Sequence, residues 1–244
     1  MASQRDVWEH LGRTDADWAV ASAPGKRHGA WATELDTFYG SGRTRVDEVC
    51  RMLPEDHGRE KALDYGSGTG RLSFALAERF NSVTSADISE SMIAILAARA
   101  EERGLSNIST VNLNDHPPEP GHDVAFSLIT LQHFQTLMNV SSALENIARA
   151  LIPGGYAIVD FPTPPLSMRR RIQPRYQAYR ALSALGLPSG ILDRMGMSGI
   201  SMLYEAPEQF ENRLRYAGLS LISREFYASE YSEMATYLTQ RIDP

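Results

Sequence analysis

Between residues 64 and 70 the chain reads Asp-Tyr-Gly-Ser-Gly-Thr-Gly, following a short apolar run and preceding an amphipathic segment. Three residues without a Cβ, Gly66, Gly68 and Gly70, let a backbone turn sharply and admit a ligand at close range. The helix expected after the turn, from Thr69, aims free N–H groups and its positive end at whatever the turn holds. Seventeen positions beyond Gly70, Asp87 closes a second apolar run at 83–88. An acid so placed can accept both hydroxyls of a ribose. Together these residues describe a nucleoside site. Further on, Leu-Ile-Thr-Leu-Gln-His-Phe at 128–134 carries His133. An imidazole with an ordinary pKa near 6.5 can take a proton from a hydroxyl or an ammonium at neutral pH, or it can simply shape a pocket.

Glycine spacing narrows the choice of nucleoside. A dinucleotide fingerprint places a third glycine where this chain has Arg71, which disfavours a nicotinamide-dependent oxidoreductase, and no Gly-Lys-Ser/Thr phosphate loop occurs. The segment resembles Asp/Glu-x-Gly-x-Gly-x-Gly, the first motif of class I S-adenosylmethionine-dependent methyltransferases, of the bacterial small-molecule type. Leu-x-Pro-Gly-Gly at 151–155 resembles the turn before that family's fifth strand, and Asp123 resembles its fourth motif.

The resemblance implies a Rossmann-like α/β fold and the cofactor S-adenosyl-L-methionine, released as S-adenosyl-L-homocysteine. It assigns Asp64 as the leading acid and runs Gly66, Ser67, Gly68 and Gly70 beneath the methionine and ribose. Asp87 would take the ribose hydroxyls, with Ile88 and Met92 beside the adenine. Asn114 stands where the family often has an acid that meets the adenine amino group, and the neighbouring Asp115 is the other choice. The loop from Leu128 usually lines the methionine and faces the acceptor in that family; His133 on it is the candidate general base, or else a residue that shapes the pocket. Arg43, after the glycines at 40 and 42, is assigned to the cofactor's carboxylate or else to solvent. A hydroxyl of a sugar or natural-product-like metabolite is the preferred acceptor. A small amine, or a non-catalytic protein that binds the cofactor, is the alternative.

The elements that must position these residues alternate from Lys61 onward: strands near 61–65, 83–88, 108–113, 124–129 and 156–161, with helices between them. Ser89 and Gly104 bound the helix over 90–103, another helix spans about 141–151, and Pro153-Gly154-Gly155 predicts a tight turn into strand five. A helix from Pro207 to about Tyr216 precedes two last strands, 219–227 and 235–242. By resemblance these form a hairpin, giving a mostly parallel seven-stranded sheet with an antiparallel last strand. Residues 1–60 read as an N-terminal helical cap, with Trp8, Trp18 and Trp31 as aromatic anchors, and 61–244 as the methyltransferase domain.

The segment 162–206 is extra to this topology. It holds six arginines against Asp193 and Glu205, a net charge of +4 within a chain of net charge −6. A long insertion at the C-terminal edge of the sheet suits a substrate cap. Arg171, Arg175 and Tyr176 are its candidate acceptor contacts, because a guanidinium fork fits an anionic group; a solvated helix face is the competing reading.

The 244 residues, 43% hydrophobic and 22% charged, suffice for one sizeable core. The acidic balance disfavours nucleic acid as a partner. Neither a signal peptide nor a run long enough for a membrane span is present, so a cytoplasmic protein is expected. Cys50 falls on an apolar helical stripe with Val46, Val49 and Leu53, which marks a packed thiol. The histidines lack metal-ligand spacing, and no metal residues are assigned; some sugar methyltransferases of this superfamily use a divalent ion. Monomer and homodimer are both open.

Overall fold

The computed structural model describes residues 3–23, 25–197, 199–229 and 232–242. Before the sheet come α1 (Gln4–Thr14), α2 (Ala16–Val20), a 3-10 turn (Ala30–Thr33) and α3 (Leu35–Cys50). Then β1 (Lys61–Tyr65), α4 (Ser73–Ala77), β2 (Ser82–Asp87), α5 (Glu90–Glu102), β3 (Ile108–Asn112) and β4 (His122–Ser127) alternate. A 3-10 turn (Leu131–His133) leads to α6 (Leu137–Ala150) and β5 (Leu151–Pro162). The insertion contributes α7 (Met168–Ile172), α8 (Pro174–Ala184) and α9 (Ser189–Arg194), and the chain returns through α10 (Pro207–Tyr216), β6 (Leu219–Ala228) and β7 (Glu233–Arg241).

The seven strands lie in the order β3-β2-β1-β4-β5-β7-β6. Pairing is parallel from β3 across to β5, and β7 runs antiparallel to both β5 and β6. The strand order reverses between β1 and β4, so a crevice opens at the carboxyl ends of those strands. The glycine turn after β1 and the loop after β4 both lie there. One face of the sheet is covered by α6 and α10, through Leu144, Ile147, Phe210 and Leu214. The other is covered by α3 and α4, through Val46, Val49 and Leu76. Half-buried Cys50 packs against this second layer, and burial pushes its thiol up to about 11, so it stays protonated at neutral pH.

Strand ends shift by one or two residues from the pattern-based expectation, and three larger differences have a local cause. The helix after the glycine turn begins at Ser73 and lasts only five residues. Its expected start fails because Gly70, at φ 89°, is in the left-handed region and cannot open a right-handed helix. The helix before β5 begins at Leu137 rather than Ser141, because Thr136 caps it by accepting from the Asn139 N–H at 3.1 Å. Pro153-Gly154-Gly155 lies inside β5, not before it. His122 pairs with Leu151 and Val124 with Tyr156, so the extra residues bulge out of the β4–β5 ladder.

Candidate functional site

The turn after β1 is held open by its own backbone. Gly66 and Gly68 adopt φ values of 86° and 53°. A Cβ on Gly66 would sit 2.1 Å from Thr130 Cγ2, and one on Gly68 would sit 2.4 Å from Val20 Cγ2. Both positions therefore demand glycine for two reasons, backbone conformation and space. The N–H groups of Gly66 and Ser67 donate to the Ala86 carbonyl at 2.7 and 3.1 Å.

Asp87 completes the turn. Its Oδ2 accepts from the Gly68 N–H and its Oδ1 from the Ser89 N–H, each at 2.9 Å. Burial raises the pKa of this carboxyl, and the backbone donors oppose that rise. Each oxygen keeps a lone pair for a further donor, such as a hydroxyl in the cleft. From the other side Thr69 Oγ1 donates to Asp17 Oδ1 at 2.9 Å, while Arg99 grips both oxygens of Asp17 at 2.7 and 2.8 Å. The N-terminal cap is thus tied to the glycine turn and to α5 at once.

Over this turn lies a cleft of about 690 Å³, counting its open mouth. Its lining includes the apolar Ile88, Met92 and Leu113, Leu128 and Thr130 from the loop after β4, and Trp8 and Val20 from the N-terminal helices. Two polar groups in the lining lack a hydrogen-bond partner among the described residues: Ser67 Oγ and Arg71 Nε. Arg71 Nη1 meets Ser41 Oγ at 3.4 Å, a long contact, and burial lowers the pKa of this guanidinium. The charge of Asp64 opposes that lowering, without a hydrogen bond between the two groups, and the guanidinium lines the cleft.

Of the residues expected at the cofactor, Gly66, Ser67, Gly68, Asp87, Ile88, Met92 and Leu128 share this cleft, together with His133. The others lie elsewhere. Asp64 is buried beneath the turn, where it accepts from Ser73 Oγ at 2.6 Å and burial pushes its carboxyl up to about 6. Gly70 faces Leu96 and Phe74 under the turn. Arg43 sits on the exposed side of α3, paired with Glu78 at 2.6 Å; Arg71, just past the glycines, lines the cleft instead. Asn114 spends its amide on the Ile88 carbonyl at 2.6 Å, and Asp115 is exposed, so Leu113 is the residue of that loop that lines the cleft. Asp123 accepts from the Lys61 N–H at 2.7 Å and braces the sheet.

His133 stands where this cleft meets a second cavity of about 1140 Å³, again counting its mouth, between α1, α8 and residues 199–201. The two spaces share Gln4, Trp8 and His133. Nδ1 of His133 is 2.9 Å from the Ser201 carbonyl oxygen. A carbonyl only accepts, so Nδ1 carries the proton and Nε2 of the neutral ring carries the lone pair. Burial lowers the pKa of the imidazole, against the opposing pull of the Ser201 bond, and this favours the neutral form. Trp8 packs edge-on against the ring at 5.7 Å between centroids. Tyr176 lines the second cavity. Arg171 and Arg175 line neither space; Arg171 Nε donates to the Pro165 carbonyl at 2.7 Å, and Arg175 is exposed. Among the described residues no group of three or more His, Cys, Asp or Glu side chains is gathered for a metal ion, and no helix is long and apolar enough to cross a membrane.

Comparison with known proteins agrees with this geometry. Residues 63–159, from β1 through β5, match the family described as a methyltransferase domain. That match covers the stretch from β1 to β5, which holds the glycine turn and Asp87. Nocamycin O-methyltransferase of Saccharothrix syringae is 28% identical over 176 residues, which is 62% of each protein, so the match spans under two thirds of that relative's length. Among solved structures, magnesium protoporphyrin IX methyltransferase from Synechocystis with bound S-adenosylhomocysteine superposes with a TM-score of 0.62 at 19% identity, covering 97% of each chain. The cyclase SpnF superposes at 0.65 with 17% identity, covering 100% of this chain and 98% of its own. At such identities the likeness shows the methyltransferase domain's fold, and that fold also carries chemistry under the name of cyclase.

Proposed function

We propose that this protein is a methyltransferase that uses S-adenosylmethionine to methylate a hydroxyl of a natural-product-like small molecule. The cleft over the glycine turn fits that cofactor on three counts. Glycines 66 and 68 leave no room for a side chain where the backbone must pass close to a ligand. Asp87 offers a carboxylate to a ribose diol, and Arg71 offers a buried guanidinium with an unpartnered Nε to an amino-acid carboxylate. Ile88, Met92 and Leu113 offer an apolar lining to a purine. Bound there, S-adenosylmethionine supplies a methyl carbon already activated by the adjoining sulfonium.

What remains for the chain is to orient, exclude water and take one proton. Trp8, Val20 and Gln4 of the N-terminal helices line the cleft. The insertion at 162–206 and the helices of residues 1–60 serve as a cap over the acceptor. His133 removes the hydroxyl proton through Nε2, with Nδ1–H held on the Ser201 carbonyl so that the ring keeps the needed tautomer. That 2.9 Å contact is the observation that carries the general-base reading, which suits a hydroxyl oxygen. The relative from Saccharothrix, named for O-methylation, supports the same atom. A small amine is the second acceptor, since its ammonium must shed a proton at the same place. An anionic acceptor held by Arg171 and Arg175 gains no support from where those residues lie.

The test is turnover. Purified protein given S-adenosylmethionine and a panel of phenols, enols, sugars and amines should release S-adenosylhomocysteine with at least one hydroxyl compound, and His133→Ala should lower kcat by roughly 10²- to 10⁴-fold. Tight S-adenosylhomocysteine binding with no turnover on any acceptor would reject the transferase reading in favour of a cofactor-binding protein.

A further inference from the structure

The second cavity carries information about the acceptor that the cofactor cleft does not. It is walled by rings on several sides: Trp8 from α1, Tyr176 and Tyr179 from α8, and His133 at the threshold to the cleft. Tyr179 is buried and Tyr176 half-buried, so both are held by their surroundings and present fixed surfaces. The remaining polar lining consists of hydroxyls and amides with one guanidinium, Arg180, and no carboxylate. Gly199 packs against both Val7 and Tyr179, where a Cβ would come within 2.8 and 2.9 Å, so the loop that closes the cavity is in tight contact with α1 and α8.

Aromatic walls reward flat π systems, by offset or edge-on contact and by the area a ring buries. A sugar's hydroxyls can pair with the hydroxyls and amides of the lining, but no carboxylate is there to hold them by stronger charge-assisted bonds, whereas a flat ring finds aromatic faces. The cavity's contact with the cleft runs through Gln4, Trp8 and His133, so a ligand there borders His133 with the edge it turns toward the cleft.

We propose that this chamber binds an uncharged, planar aromatic compound bearing a hydroxyl, a phenol or aryl enol, with that hydroxyl turned to His133. The assignment rests on the methyltransferase reading for its purpose but not for its test, which is equilibrium binding. The step it implies balances simply: the aryl oxygen gains the methyl as the carbon–sulfur bond of the cofactor breaks, and its proton passes to His133 Nε2.

The experiment is calorimetry on the full chain, saturated with S-adenosylhomocysteine, using 2-naphthol, 2-naphthoate and methyl α-glucoside as probes. Binding of 2-naphthol at least tenfold tighter than either other probe is expected. Ser183→Trp, which fills the chamber from α8, should weaken 2-naphthol at least tenfold and leave S-adenosylhomocysteine affinity within twofold; that second reading also shows the variant is folded. If Ser183→Trp does not fold, Tyr176→Ala serves with the same expectation. Equal or tighter binding of the glucoside or the naphthoate overturns the proposal, and so does 2-naphthol affinity that ignores both variants. Failure of S-adenosylhomocysteine itself to bind the unaltered protein instead rejects the cofactor reading, and naphthol binding is then measured without it.

Discussion

Asp87 Oδ2 accepts the Gly68 N–H at 2.9 Å, so the acid at the end of β2 shapes the turn that ends β1. The two features that mark the site in sequence are one unit in space. Asp87 holds the glycine turn with no ligand present, and it lines the cleft. Losing it should therefore cost more than one ribose contact.

Asp87→Ala removes the acceptor for two backbone N–H groups as well as for a ribose diol. Hydrogen bonds to a charged group contribute about 1.5–3 kcal/mol each. S-adenosylhomocysteine affinity should fall at least 100-fold, or about 2.8 kcal/mol. Asp87→Asn keeps one acceptor oxygen and should lose less. Calorimetric titration of the three proteins checks the order, and an alanine variant within fivefold of the parent contradicts the role.

Arg71 is argued to hold the amino-acid carboxylate of the cofactor. Arg71→Gln should weaken S-adenosylhomocysteine by roughly 10- to 100-fold, the range of a lost charge-assisted hydrogen bond or two. 5′-Methylthioadenosine lacks the amino-acid tail, so its affinity should change by less than about threefold, there being no such hydrogen bond to lose. Parallel losses for both ligands would mean that Arg71 supports the turn rather than the tail. Arg43→Gln, on the outer face of α3, should change neither.

The sheet was legible because its signals are local. Apolar runs of five or six residues, Ser89 as a cap and Gly104 and Gly218 as stops each act within a few neighbours, and all recur in the structure. The glycine turn and Asp87 were legible for the same reason. What sequence could not supply is what approaches from afar. Val20 and Thr130 press on glycines nearly 50 and 64 positions away, and Ser201 fixes the tautomer of His133 across 68 positions. Arg43 and Arg71 illustrate the limit. Both are arginines near glycines, and only the packing of α3 against the turn decides that the first meets solvent and the second the cleft. A signal was present in the first helix: Trp8 and Gln4 are spaced i, i+4 on one face, which is a face with something to cover.

Glu9 locks that helix in place. Its carboxylate accepts from Ser89 Oγ at 2.9 Å and from the Ser91 N–H at 3.1 Å, across the start of α5. Burial works against the charge, but the bonds from Ser91 and Ser89 prevail and hold its pKa at about 2, below the ordinary 4.5. A depressed acid contributes stability that is complete above its unfolded pKa and fades as pH falls through the folded one. The stabilisation should therefore be full above about pH 4.5 and disappear toward pH 2. Glu9→Gln should lower unfolding free energy by about 2 kcal/mol at pH 7, and the difference from the parent should shrink steadily below pH 4.5. At neutral pH, hydrogen exchange in α1 should quicken in the variant while β1 and β4 are unchanged.

Asp64 carries the opposite sign. Burial pushes its carboxyl up to about 6 from 3.8, although Ser73 and the charge of Arg71 both oppose the rise. A raised acid favours the fold while protonated: the contribution is complete below pH 3.8 and is lost as pH rises through about 6. In Asp64→Asn the side-chain amide keeps an oxygen to accept from Ser73 Oγ, which itself accepts from Ser85 Oγ at 2.9 Å, so the chain of hydroxyls is preserved. The variant has nothing to ionise. Its stability relative to the parent should therefore climb between pH 4 and pH 7, by on the order of 2–3 kcal/mol. Denaturant titrations at pH 4, 5, 6 and 7 give the difference directly. A flat difference across that span would mean that Arg71 neutralises Asp64 fully, and it would move Arg71 out of the cleft's chemistry and into the support of the turn.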